Sequence, residues 1–195
     1  ELNFSGSATP QEKRLTREAP WSDDIKTANA NSMNDNYVSL ATSPLSGNLY
    51  CVFESPDLGG SDRDLHIAES TDDGATWTTY DMPSFTEDEY SPELAIDNSG
   101  YLHVTWIRED GVVLRTRSAA PDAPDNWEWV KGLIADEPMQ TPSIDVSGGG
   151  SFSTVLIASN WLTINWDLYQ YEWTIIWMWS TNGGETIEYD YFQPD

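Results

Sequence analysis

The sequence predicts an all-β chain: three four-stranded antiparallel units preceded by a non-repeating N-terminal arm. Three observations predict it. Helical periodicity is nearly absent, the single candidate being the short polar stretch 10–19. The runs between turns are rich in β-branched and aromatic residues, with 10 Trp and 9 Tyr in the chain. One order of elements (strand, glycine turn, strand, strand ending in serine) recurs three times at a spacing of about 50 residues.

Residues 1–35 match none of the three units. They are rich in Ser, Thr, Asn and charge, and Lys13, Arg14, Arg17 and Lys26 are four of the nine basic residues. The segment reads either as a disordered arm or as a strap packed through Phe4, Leu15, Trp21 and Ile25. A basic arm beside an acidic body also suits an intermolecular tether. Asn3-Phe4-Ser5 is a glycosylation sequon, a motif too short to weigh heavily.

The repeat region covers 36–195, with units at about 36–85, 88–135 and 138–192. The first strands align as Tyr37-Val38-Ser39-Leu40, Ser91-Pro92-Glu93-Leu94 and Thr141-Pro142-Ser143-Ile144. Glycine turns follow at Gly47, Gly100 and Gly148–Gly150, and then second strands at 49–53, 102–106 and 152–156. Third strands run from Leu65 to Ser70, Val112 to Ser118 and Trp173 to Ser180. The triple glycine reads as a hairpin turn, because no Lys-Ser/Thr and no helix follow it.

The turn after the first of these serines reads Ser70-Thr-Asp72-Asp-Gly74-Ala-Thr76-Trp77. A short aspartate accepts hydrogen bonds from N–H groups of its own turn, glycine takes a positive φ, and Thr-Trp re-enters a strand. The third unit keeps Ser180, Asn182, Gly184 and Thr186, with Asn in place of Asp and Ile187 in place of Trp. The second has an enlarged turn from Ser118 that retains Trp127. This pattern resembles the Asp-box of sialidase-type (BNR) repeats, and the resemblance spans about 36–192. It implies β-propeller blades, in which the box is a folding device remote from the catalytic face. Propellers close with about 4–8 blades. Three blades therefore call for a longer parent protein, for further copies completing a ring, or for a head-to-tail stack.

The third unit carries the strongest interface signal. Trp161, Trp166, Trp173, Trp177 and Trp179 fall within nineteen residues. Alternation puts Trp173, Ile175, Trp177 and Trp179 on one face and Thr174, Ile176 and Met178 on the other. Two apolar faces require cover on both sides, from a neighbouring blade or from another subunit.

Composition excludes several classes of function. With 33 acidic residues against 9 basic, the net charge of −24 argues against nucleic acid and against anionic lipid. The excess acid reads as a halophile's solvated surface or as a calcium-using extracellular protein. Cys51, the single cysteine, has no internal disulfide partner and reads as a small buried residue in the slot that Val104 fills in the next unit. The longest apolar run, 173–179, is too short to span a membrane. The chain begins at Glu1, which reads as a processed or trimmed start, and the expected location is extracellular or at the cell surface.

Catalytic signals are sparse. The sialidase resemblance implies a tyrosine nucleophile backed by glutamate, an aspartic acid and three arginines on the substrate carboxylate. No Arg-Ile-Pro tripeptide occurs, and only Arg115 and Arg117, two apart on one strand, suggest carboxylate binding. Glu109, Asp110, Asp122 and Asp125 are at hand to neutralise them. His66 and His103 lie at non-equivalent strand positions, without the spacing of a zinc site. Calcium is the metal expectation, at Asp57, Asp62 and Asp64 on a Gly-flexed loop. The sequence thus points first to a non-catalytic propeller-like module that self-assembles or binds protein or glycan. The alternatives are a sialidase-like glycoside hydrolase or a fragment of a larger secreted propeller protein.

Overall fold

A computed structural model describes residues 36–56, 63–128, 130–134, 139–165 and 170–192. Their strands form three four-stranded antiparallel meanders in which every strand pairs with its neighbours in sequence. The first sheet contains β1 (Asn36–Thr42), β2 (Leu49–Pro56), β3 (Arg63–Ser70) and β4 (Thr78–Asp81). The second contains β5 (Glu89–Ile96), β6 (Leu102–Arg108), β7 (Val113–Arg117) and β8 (Lys131–Ile134). The third contains β9 (Met139–Ser147), β10 (Thr154–Asn165), β11 (Gln170–Ser180) and β12 (Glu188–Phe192). The all-β expectation therefore holds. The N-terminal arm lies outside the described residues.

Several boundaries differ from expectation: β2 runs on to Pro56, β6 to Arg108 and β10 to Asn165, and β11 begins at Gln170 rather than Trp173. The second strand of the third sheet begins at Thr154 rather than Phe152, because a 3-10 turn occupies Gly150–Phe152. Gly148 and Gly150 take φ of +81° and +60°, and Ser153 Oγ caps the turn on Gly150 O at 2.8 Å. The glycines that read as a hairpin turn thus hold a tighter reversal that delays the strand.

The sheets pack face to face through alternate residues. Tyr50, Val52, Leu65 and Ile67 of the first sheet meet Leu94, Leu102, Val104 and Trp106 of the second in one buried cluster. Ile107 and Val113, on the other face of the second sheet, meet Met139, Val155, Ile157, Ile176 and Met178 of the third. Each such side chain contributes about 1.5–3 kcal/mol when fully buried, so these two layers dominate cohesion between sheets. Cys51, 2 % exposed, packs with Phe53 and Ala68 on the opposite face of the first sheet.

The turn motif folds as its chemistry dictates. Asp72 Oδ1 accepts from Thr76 N at 2.8 Å, Asp72 Oδ2 from Thr76 Oγ1 at 2.7 Å, and Ser70 Oγ from Gly74 N at 2.8 Å. Gly74 has φ +86°. Asn182 reproduces the pattern, accepting from Thr186 N at 3.0 Å while Ser180 Oγ accepts from Gly184 N at 2.8 Å. In the enlarged second turn Trp127 Nε1 donates to Pro124 O at 2.8 Å, three residues back, as Trp77 Nε1 does to Gly74 O at 3.2 Å. The indole bond outlasts the loss of the aspartate.

Candidate functional site

The first strand of each sheet is kinked at the same place. Tyr37, Ser91 and Thr141 have φ of 47°, 52° and 46°, in the left-handed region that only glycine enters freely. Pairing slips at each: between Asn36 and Ser39, between Tyr90 and Glu93, and opposite Ala158–Asn160. Two residues of the inner strand then oppose one of its partner, which is a β-bulge. The three bulges converge on a cavity of about 120 Å³ lined by residues of β1, β5 and β9, Glu93 among them. Strain of about 1–3 kcal/mol at each non-glycine residue is retained where all three sheets meet.

A network of buried and half-buried carboxylates lies beside this cavity, between the first and second sheets. Glu54, fully buried, accepts from Arg63 Nη1 at 2.7 Å and from the kinked Ser91 N at 3.1 Å. Asp88 accepts from Arg63 N at 2.9 Å and from Tyr90 Oη at 2.6 Å. That bond and burial push the Tyr90 phenol up to about 12. Glu93 accepts from Ser39 Oγ at 3.0 Å, and Ser39 Oγ accepts from Leu94 N at 3.1 Å.

Glu89 is the exceptional member. It is fully buried, Trp106 Nε1 donates to its Oε1 at 2.8 Å, and its Oε2 has no partner. Burial pushes its pKa up to about 8, the indole bond working against this and the nearby Asp64 adding to it. At neutral pH it is largely a protonated acid. Sequence reasoning missed Glu54, Glu89 and the kinks. The sequence marked these places without giving their conformation: Ser91-Pro92 and Thr141-Pro142 recur at one alignment position, and Glu54 follows an apolar run.

At the opposite end lie the two arginines singled out for carboxylate binding. Arg115 is buried and donates to Gly183 O at 2.8 Å and Gly184 O at 3.0 Å across the sheet boundary. It also donates to His103 Nδ1 at 3.0 Å, which leaves the His103 Nε2 proton facing Asp97 Oδ2 at 3.5 Å. Burial lowers the Arg115 pKa to about 10 and lowers that of His103. Burial alone would raise Asp97, but His103 and the N–H groups of Tyr101, Ser99 and Gly150 hold it below the usual range. Arg117 pairs with Glu128 rather than with any of the four acids expected to neutralise it, one of which, Asp110, pairs with Arg108. Arg115 and Arg117 thus join the second sheet to the third.

Of the calcium candidates, Asp64 sits half-buried on β3, and Asp57 and Asp62 lie outside the described residues. Among the described residues no three His, Cys, Asp or Glu side chains are grouped to hold a metal, and no helix is long and apolar enough to cross a membrane.

The aromatic third sheet has one covered face and one open one. Thr174, Ile176 and Met178 are buried against the second sheet, while Trp173 and Ile175 are 53 % and 54 % exposed and Trp177 and Trp179 half-buried. Trp161 lies in β10, opposite Thr174; its side chain, like all of Trp166, lies outside the described residues. Register shows which positions these are. Tyr50, His103 and Leu156 stand opposite Ala41, Ala95 and Asp145 on the first strands, and opposite Glu69, Arg117 and Trp179 on the third. The next sheet covers Tyr50 and His103 completely, whereas Leu156 is 47 % exposed.

No family model and no curated protein matches this sequence. Solved structures do. A Penicillium chrysogenum α-L-arabinanase complexed with arabinobiose is similar at TM-score 0.56 and 14 % identity, over 78 % of this chain and 49 % of that one. A Hadza microbial sialidase, Hz136, is similar at 0.52 and 17 %, over 80 % and 37 %. A Dyadobacter fermentans protein of unknown function is similar at 0.50 and 10 %, over 82 % and 53 %. The chain spans from about a third to about half the length of these proteins, and at such identities the likeness establishes the architecture: a propeller-type array of three meander sheets.

Proposed function

We propose that this chain is a non-catalytic, extracellular propeller-type module that works by association, with the open face of its third sheet as the binding surface. One observation carries the reading. Leu156 and Ile175 are exposed at positions whose register counterparts, Tyr50 and Leu65 in the first sheet and His103 and Val113 in the second, are buried under the following sheet, and Trp173 stands exposed beside them. Leaving such side chains in water forgoes about 1.5–3 kcal/mol each. Size-exclusion chromatography with light scattering tests it. The wild type is expected to associate with rising concentration and the Trp173→Asp/Ile175→Asp variant to stay monomeric. A wild type that is monomeric throughout rejects the reading.

A second reading rests on Glu89. A buried carboxyl pushed up to about 8, two residues before the kinked Ser91 that lines the cavity, suits proton donation to a leaving oxygen. The similar arabinanase and sialidase lend it a glycan substrate class. Turnover of fluorogenic arabinosides or sialosides, abolished by Glu89→Gln, supports this reading; equal turnover by the variant rejects it.

A further inference from the structure

We infer that the open face of the third sheet receives the first sheet of a second copy, so that two chains close head to tail into one ring of six sheets. This rests on the association proposed above and specifies its geometry.

The two junctions inside the chain supply the rule. In each, the face bearing alternate residues of the second and third strands is covered by the next sheet, led by that sheet's first strand. β5 packs on β1, β2 and β3, and β9 packs on β5 and β6. The covering face carries Leu94 in the second sheet and Ile144 in the third, opposite Val104 and Ile157. Leu94 is 6 % exposed, and Ile144 packs against the cluster between the second and third sheets. The same position in the first sheet is Leu40, opposite Cys51, and Leu40 is 67 % exposed. One chain therefore displays both halves of the junction it makes twice internally: on the first sheet the β1 side around Leu40, which covers no sheet although Cys51, Phe53 and Ala68 further across that face are already buried, and on the third sheet a face without cover among the described residues.

Further observations select a second copy as the occupant. The first sheet carries a groove of about 410 Å³ on this side, lined by Leu40, Leu49 and Trp77 among others, which offers room for the projecting indoles of a third sheet. The chain matches 49 %, 37 % and 53 % of the lengths of the arabinanase, the sialidase and the Dyadobacter protein, so two copies together come to between about three quarters and the whole of such a protein's length. A twofold axis relating two head-to-tail contacts closes after two copies, with no edge left for a third. The ring also completes the cavity, since the partner's three kinks face those at Tyr37, Ser91 and Thr141 across the axis.

The test is complementation. Leu40→Asp and Trp173→Asp/Ile175→Asp each change exposed side chains, and circular dichroism with thermal melting reports whether each variant folds. Each alone is expected to weaken dimerisation at least tenfold in light scattering, while a mixture forms a heterodimer through its one intact junction. Concentration-dependent hydrogen-exchange protection of both β1 and β11 in the wild type supports the same contact. If Leu40→Asp dimerises like the wild type while the third-sheet variant does not, the third sheet pairs with itself; the association reading then stands and the head-to-tail geometry falls. If the wild type is monomeric throughout, both fall.

Discussion

Arg115 of the second sheet donates to Gly184 O of the third at 3.0 Å, and a β-carbon on Gly184 would lie 1.7 Å from the same guanidinium nitrogen. The glycine serves two purposes, since its φ of +87° also disfavours other residues. Gly184→Ala is therefore expected to lose more than about 2 kcal/mol in urea unfolding. Gly47→Ala, at φ +82° with nothing within 4 Å, is expected to lose only about 1 kcal/mol. Equal losses would refute the steric part of the argument.

The turn motif predicts an order of stability. Asp72→Asn retains an acceptor for Thr76 N, as Asn182 does for Thr186 N, whereas Asp72→Ala removes it. Hydrogen bonding to Thr76 holds the Asp72 pKa below its ordinary value. The Tm is expected to fall in the order wild type, Asp72→Asn, Asp72→Ala. The aspartate's advantage over asparagine should shrink as acid protonates it, and scanning calorimetry at pH 7 and pH 3 measures both effects.

Much of this was legible in the sequence, and the division has a physical cause. Turn chemistry and alternation are local, so Ser70–Trp77 announced its hairpin and 173–179 announced its two faces. Register made Tyr50, His103 and Leu156 equivalent, but whether each is covered depends on a sheet about 50 residues away in the repeat. The kinks at Ser91 and Thr141 precede prolines, where sequence rules favour extended backbone, so the left-handed conformation was not to be read from them. The carboxyls of Glu54 and Glu89 are joined to Ser91 N and Trp106 Nε1 by folding, and Arg115 meets Gly183 and Gly184 only once two sheets are packed.

Glu89 predicts a pH dependence of definite sign. Its folded pKa of about 8 exceeds the ordinary 4.5, so the stability from its neutral form is complete below about pH 4.5 and is lost as pH rises through 8. Relative to the wild type, Glu89→Gln should gain stability between pH 5 and 8 by up to about 1.4 kcal/mol per unit. Denaturant titrations at pH 5, 6.5 and 8 test this, and parallel curves would contradict it.

Association should respond to salt with the sign opposite to an ion-pair interface. Each chain carries −24, while the proposed contact is apolar. Screening shortens the reach of repulsion from about 10 Å at 0.1 M salt to about 3 Å at 1 M. Dimerisation should therefore strengthen from 0.05 to 1 M NaCl in sedimentation equilibrium, and weakening over that range would point to a contact held by charges.

The meander connectivity has a consequence for how the chain reaches its native state. Because each described strand pairs only with those adjacent in sequence, a sheet is complete once its own stretch of about 50 residues has emerged during synthesis. Early closures are short and entropically cheap, and the costlier step is the later stacking of finished sheets. A nascent chain paused after the second sheet would already hold its first buried layer, and the exposed indoles of β11, among the last strands made, would appear only when that platform is in place.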